Sequence, residues 1–135
     1  MERRFAHPPE RLFEAWTKTD IVGQWLGCGA DMLWHIHQWD VRVGGGLKVS
    51  LDYDGVPFVV EGEFLEVERP RHLKYRWGKE TVDILIEPDG GGCRVTLRHE
   101  DVETGELGGI LKDGWTFSLS LLEGTLHGLD AREEL

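Results

Sequence analysis

No apolar run in this sequence exceeds a few residues, so no segment is expected to cross a membrane as a helix. The opening stretch MERRFAHPPE has no apolar h-region of the kind an export signal needs. Cysteine is scarce. Cys28 and Cys93 are the two in the chain, and without an export signal they are expected as reduced thiols in a cytoplasmic protein, not as a disulfide. Basic charge is also short: 15 Lys and Arg against 25 Asp and Glu leave a formal net charge of -10. A field of that sign repels the backbone of nucleic acid, and RRF, RPR and RWGK are too scattered to make a basic groove. There is no Gly-x-Ser-x-Gly elbow, no phosphate loop and no dinucleotide fingerprint, because the Gly44-Gly45-Gly46 triplet precedes a strand instead of a helix. No cofactor is expected.

What the chain does have is tryptophan, six in 135 residues, with 40% hydrophobic content. That is enough to fill the core of one domain, expected over 1–135. Residues 3–7 read as a short extended segment. Pro8 and Pro9 set up a helix start, and Leu12, Phe13 and Trp16 give RLFEAWTK an apolar face. Thr19 or Asp20 can cap a second short helix, DIVGQWLG, ended by Gly27 and Gly29.

From Leu33 the period changes to two. WHIHQWDVRV is apolar on both faces, which leaves its orientation open. LKVSLDY turns Leu47, Val49, Leu51 and Tyr53 inward, and Asp54-Gly55 signals a hairpin. PFVVEGEFLEVE puts Phe58, Val60, Gly62 and Phe64 on one face, then switches faces at Leu65 and Val67, which predicts a bulge near Gly62–Leu65. The same alternation turns Leu73, Tyr75 and Trp77, then Val82, Ile84 and Ile86, then Cys93, Val95, Leu97 and His99 inward. Six meandering strands between helices predict an α+β fold with one curved antiparallel sheet. The closing helix, 108–129, aligns Leu111, Trp115, Leu119, Leu122 and Leu126 on one face. A second apolar line, Ile110, Phe117 and Leu121, lies opposite. It packs within the chain or forms a homodimer contact.

This order of elements resembles the helix-grip fold of the START-like (SRPBCC) superfamily. HPPERLFEAWTKTDIVGQWLG resembles the opening of the family of homologues of the heat-shock-protein-90 ATPase activator. WDVRVGGGLKVSL resembles its strand-turn-strand with an Asp-x-Arg-x-Gly-Gly core, here Asp40, Arg42, Gly44 and Gly45. GEFLEVERPRHLKYRW and GWTFSLSLLEGTL match its next strand pair and its helix. The resemblance implies a mostly apolar pocket between sheet and helix, the usual form of a small-molecule site. With the alternation, its lining is expected to be Tyr53, Phe58, Tyr75, Trp77, Val95, His99, Trp115 and Leu119, or else these rings simply fill the core. Tyr and Trp suit a small hydrophobic or aromatic ligand, because each joins apolar area to one hydrogen-bonding tip.

His99 is the best single candidate acid or base, with the Tyr hydroxyls the only other catalytic groups on offer, and a hydrogen-bonded core histidine is the alternative. His35 and His37 share a strand face, but with His99 and Cys93 they match no zinc spacing, so no metal is expected. Asp83, Glu61 and Glu63 are read as facing solvent. Three functions follow from the resemblance and the pocket. The foremost is a non-enzymatic binding protein for a hydrophobic or aromatic molecule. The alternatives are a chaperone-partner or homodimeric module, and a cavity enzyme acting on an aromatic or polyketide-like substrate.

Overall fold

Alternating apolar and polar residues need a surface with two faces, and the chain supplies one as a seven-stranded antiparallel sheet. The computed structural model describes residues 1–27, 33–53, 55–100 and 106–133, with the side chains of Tyr53, 106–114 and 129–133 outside the description. The strands are β1 (Glu2–Phe5), β2 (His35–Trp39), β3 (Gly46–Tyr53), β4 (Val56–Glu68), β5 (His72–Trp77), β6 (Glu80–Asp89) and β7 (Gly92–Glu100). The helices are α1 (Pro9–Thr17), α2 (Thr19–Val22) and α3 (Glu106–Glu133). Spatial order in the sheet is β1-β7-β6-β5-β4-β3-β2. Six strands therefore meander as the alternation predicts. The short extended segment at 3–7 becomes a seventh strand, with Phe5 opposite Cys93 across from β7.

The inward register follows the alternation closely. Leu47, Val49, Phe64, Leu73, Tyr75, Val82, Ile84, Ile86, Cys93, Val95 and Leu97 are all buried in one core cluster with Leu119, Leu122 and Leu126, and Leu51 is buried beside it. Two bulges let strands of mixed pattern join. In β4 the pairing to β5 shifts between Phe64 and Glu66, inside the interval where the apolar residues change parity. In β2 it shifts between Ile36 and Gln38, so Ile36 opposite Val49 and Trp39 opposite Leu47 share the inner face. The extra residue absorbs one step of the period-two pattern, which is why the orientation of 33–43 could not be read from alternation.

The second helix is shorter than DIVGQWLG suggests. It covers only Thr19–Val22, and the chain then turns through Gly23 to Trp25. That turn has a purpose. The last carbonyls of a helix have no partner within it, and the Trp25 indole N–H donates to Ala15 O at 3.0 Å while Trp39 Nε1–H donates to Trp16 O at 2.8 Å. Two tryptophans thus cap the end of α1. Trp16 and Trp25 also meet edge to face, with ring centroids 4.7 Å apart.

Cys93 lies under β1, fully buried. Burial pushes its thiol up from 9.0 to about 11, opposed by the Arg4 guanidinium. Because the folded state holds this proton more tightly than the unfolded one, its contribution to stability is intact below about pH 9. It is lost as pH rises toward about 11. The thiolate is the reactive form. Iodoacetamide at pH 8 is therefore expected to leave Cys93 unmodified in the folded protein and to alkylate it in urea, read by peptide mass mapping. Cys28 lies outside the described residues.

Candidate functional site

The aromatic side chains on the inner face form a continuous row. Trp39 meets Phe64 at 5.3 Å and Tyr75 at 5.7 Å between centroids, Tyr75 meets Trp77 at 6.3 Å, and Trp77 meets Trp34 edge to face at 5.3 Å. Burial divides this row in two. Trp16, Trp25, Phe64 and Tyr75 are fully enclosed, and Trp39 nearly so. Trp34, Trp77 and Trp115 are only partly buried against the same core. One end of the row is solid core; the other is a wall with solvent access.

The open end is built around the β5–β6 hairpin. Gly78, at φ 64°, allows the tight turn that sets Trp77 opposite Glu80. Along β6, Glu80 has the same parity as Val82, Ile84 and Ile86, all inward. His99 stands opposite Val82 on β7. The Trp115 indole N–H donates to His99 Nδ1 at 2.9 Å, and His99 Nε2 lies 3.2 Å from a Glu80 carboxylate oxygen. An indole nitrogen can only donate, so Nδ1 must carry the lone pair and Nε2 the proton. The Nε2–H therefore faces Glu80, near enough to attract it but off the line of a well-directed hydrogen bond. Glu80, His99 and Trp115 form one connected unit.

The expected lining residues other than Tyr53 each have a described place. Trp77, His99 and Trp115 gather at the open end. Tyr75, Val95 and Leu119 are sealed in the core. Desolvation holds the Tyr75 phenol well above its ordinary range, so it stays protonated. Phe58 lies opposite Leu51 near the β3–β4 tip, where it is 48% exposed. The side chain of Tyr53 lies outside the described residues. Trp34 and Glu80 were missed by the sequence reading. Glu80 was detectable, as the continuation of Val82, Ile84 and Ile86 by one step of two. Trp34 was hidden by the β2 bulge.

Other candidates fall elsewhere. His35 and His37 are exposed, and His37 Nε2 sits 2.5 Å from Ser50 Oγ. Among the described residues no cluster of His, Cys, Asp or Glu could hold a metal ion. Of the dimer stripe, Phe117 is exposed, Leu121 is partly buried against the core, and the side chain of Ile110 lies outside the described residues. On the outer face, His72, Asp83, Leu85, Thr96 and Arg98 line a half-open depression of about 200 Å³. His72 there bridges Asp83 at 2.5 Å and Glu66 at 2.9 Å. Glu63 pairs with Arg76 at 2.7 Å and Glu61 with Lys48 at 3.7 Å, so these carboxylates face outward. α3 is anchored by buried Ser118, whose hydroxyl donates to Trp25 O at 2.8 Å. Among the described residues no helix is long and apolar enough to cross a membrane.

The family described as "Activator of Hsp90 ATPase homolog 1-like protein" matches residues 6–127. The chain belongs to that family. Solved structures of similar fold include a Chromobacterium violaceum protein, 23% identical, with a TM-score of 0.84 over 92% of this chain and 93% of that one. A Rhodobacter sphaeroides protein is 20% identical, with a TM-score of 0.81 over 95% and 90%. The Hsp90-activator homologue fold is thus a helix-grip α+β fold, and family and fold together are compatible with a ligand-binding START-like protein. A local likeness joins the chain to glyceraldehyde-3-phosphate dehydrogenase 1 of Bacillus subtilis, 40% identical over 62 residues. These are 45% of this chain, which spans only 18% of that protein.

Proposed function

We propose that the protein binds a small hydrophobic or aromatic molecule between sheet and helix, at the end lined by Trp34, Trp77, His99 and Trp115. The observation that carries this reading is the uneven burial of the aromatic row. Rings that only fill a core are sealed on all sides, as Trp16 and Tyr75 are, whereas Trp34, Trp77 and Trp115 keep part of their surface open. Part-open aromatic surface beside a few convergent polar groups is the usual character of a small-molecule site.

Binding without turnover is favoured over a cavity enzyme by the state of His99. Its Nδ1 accepts from Trp115 and its Nε2 carries the proton on the side of Glu80, so the imidazole presents no open lone pair to act as a base on a substrate. A dehydrogenase role is disfavoured by the antiparallel sheet, since dinucleotide sites of that kind use a parallel βαβ unit.

N-phenyl-1-naphthylamine, neutral and emissive only in apolar surroundings, tests the reading. We expect saturable enhancement with one probe per chain, accompanied by quenching of tryptophan emission, and weakened at least ~10-fold in Trp77→Ala. That factor equals the loss of roughly 1.4 kcal/mol of contact. Enhancement that never saturates, or that is unchanged in Trp77→Ala, would overturn it.

A further inference from the structure

We infer that the ligand of this site carries a positive charge: an aromatic or apolar molecule bearing a protonated amine, with its ammonium beside Glu80. The inference rests on the binding reading above and adds the sign of the ligand's charge.

The first ground is the register. Glu80 points inward at the end of a strand whose other inward residues are Val82, Ile84 and Ile86, so a carboxylate stands at the margin of an apolar face. Its side chain is 29% exposed, and among the described residues it makes an ion pair with His99 and none with a lysine or arginine, its chain neighbour Lys79 included.

The second ground is the tautomer. With Nδ1 committed as acceptor to the Trp115 N–H, the neutral imidazole offers Glu80 one N–H and no charge. At 3.2 Å that N–H lies close to the carboxylate without forming a hydrogen bond, which leaves carboxylate oxygen lone pairs for another donor. A negative charge at the edge of an apolar site is costly without a full positive charge to pair with, and a ligand cation supplies one where no lysine or arginine ion pair does so among the described residues.

The third ground is the surrounding rings. Trp77 sits opposite Glu80 in the hairpin, Trp34 packs on Trp77, and Trp115 reaches Glu80 through His99. Indole faces carry negative quadrupole potential and attract ammonium groups, with tryptophan the strongest of the three aromatic side chains. The protein's net charge of -10 adds a long-range field of the same sign. Carboxylate, rings and global field all favour a cation and oppose a carboxylate ligand.

The test compares three probes by calorimetry at low salt: tryptamine, indole and indole-3-propionate. The first and last share a ring and a two-carbon spacer and differ in the sign of the terminal charge. Tryptamine is expected to bind at least ~10-fold more tightly than indole-3-propionate. In Glu80→Gln, which keeps an oxygen for the His99 N–H, the advantage of tryptamine over indole-3-propionate should shrink several-fold, to the part that the global field supplies. That second arm separates Glu80 from the global field, because the field alone would preserve the preference. Equal affinities in the native protein, or a preference of undiminished size in Glu80→Gln, overturns the inference and leaves the binding reading standing. Tryptamine failing to bind while N-phenyl-1-naphthylamine binds has the same meaning. Failure of both probes overturns both.

Discussion

Replacing Gly62 with alanine is expected to destabilise the fold by about 3 kcal/mol or more, at the upper end of what overpacking a core costs. A Cβ built at Gly62 would lie 1.7 Å from the Arg76 carbonyl oxygen and 2.7 Å from its carbon. Both obstacles are backbone, so no rotamer change relieves the overlap. Strands β4 and β5 would have to separate where β4 passes from one partner to the other, beside the Glu63–Arg76 ion pair and the Gly78 N–H to Glu61 O bond of 3.0 Å. Glycine inside a strand often marks such a close approach of another backbone. Urea unfolding should show the midpoint falling with little change in slope. A Gly62→Ala protein with the native midpoint would mean that the strands do not approach this closely.

Trp25→Ala is expected to cost about 3–5 kcal/mol, the usual range for removing a buried tryptophan. Three losses combine. The ring vacates a fully buried site, its edge-to-face contact with Trp16 disappears, and Ala15 O loses the indole N–H that caps α1. Trp25→Phe separates them, since it keeps much of the ring area and removes only the donor. Its cost should be about 1–3 kcal/mol, that of a buried carbonyl left unpaired together with some lost packing. Against a typical total stability of roughly 5–15 kcal/mol, the alanine variant approaches unfolding and the phenylalanine variant does not. Thermal melts of the two, compared with the native protein, would reveal equal shifts if the cap contributes everything, or no shift for phenylalanine if it contributes nothing.

The fold was legible because its strands keep strict alternation. LKVSLDY, HLKYRW, TVDILIE and CRVTLRH alternate so that Leu47, Val49, Leu51, Leu73, Tyr75, Val82, Ile84, Ile86, Cys93, Val95 and Leu97 are buried, and the parity change in PFVVEGEFLEVE located a bulge. The β2 segment was illegible for the same physical reason in reverse. A bulge inside a strand with apolar residues on both faces leaves no parity to count. The edges of helices were set by tertiary contacts. DIVGQWLG reads as helix by propensity, but the chain gives up helix after Val22 and brings Trp25 back to α1.

The site was half legible. Trp77, His99 and Trp115 were named from alternation and helical spacing; His99 and Trp115 are in contact, and Trp77 lies opposite Glu80, which neighbours His99. Tyr75, Val95 and Leu119 share the inner face but lie deeper, because alternation reports the face and not the depth along it. Glu80 was passed over because a charged residue at a strand end reads as solvent-facing, although its parity puts it with Val82. Charge type argued for one orientation and periodicity for the other, and periodicity prevailed.

The edge strand β1 carries a consequence for how the chain folds. It pairs with β7, with Arg3 opposite Val95, and the same Arg3 reaches Ser120 and Glu123 on α3. The first few residues are therefore completed by partners about ninety positions away or more. During synthesis the six-strand meander can form hairpin by hairpin, but the sheet gains its outer edge only after β7 emerges, and its inner face is covered only when α3 follows. Contacts so distant in sequence slow the final closure. Until then the row from Phe64 to Trp77 faces solvent, and the half-made protein is a sticky one that needs the end of its own chain as a cover.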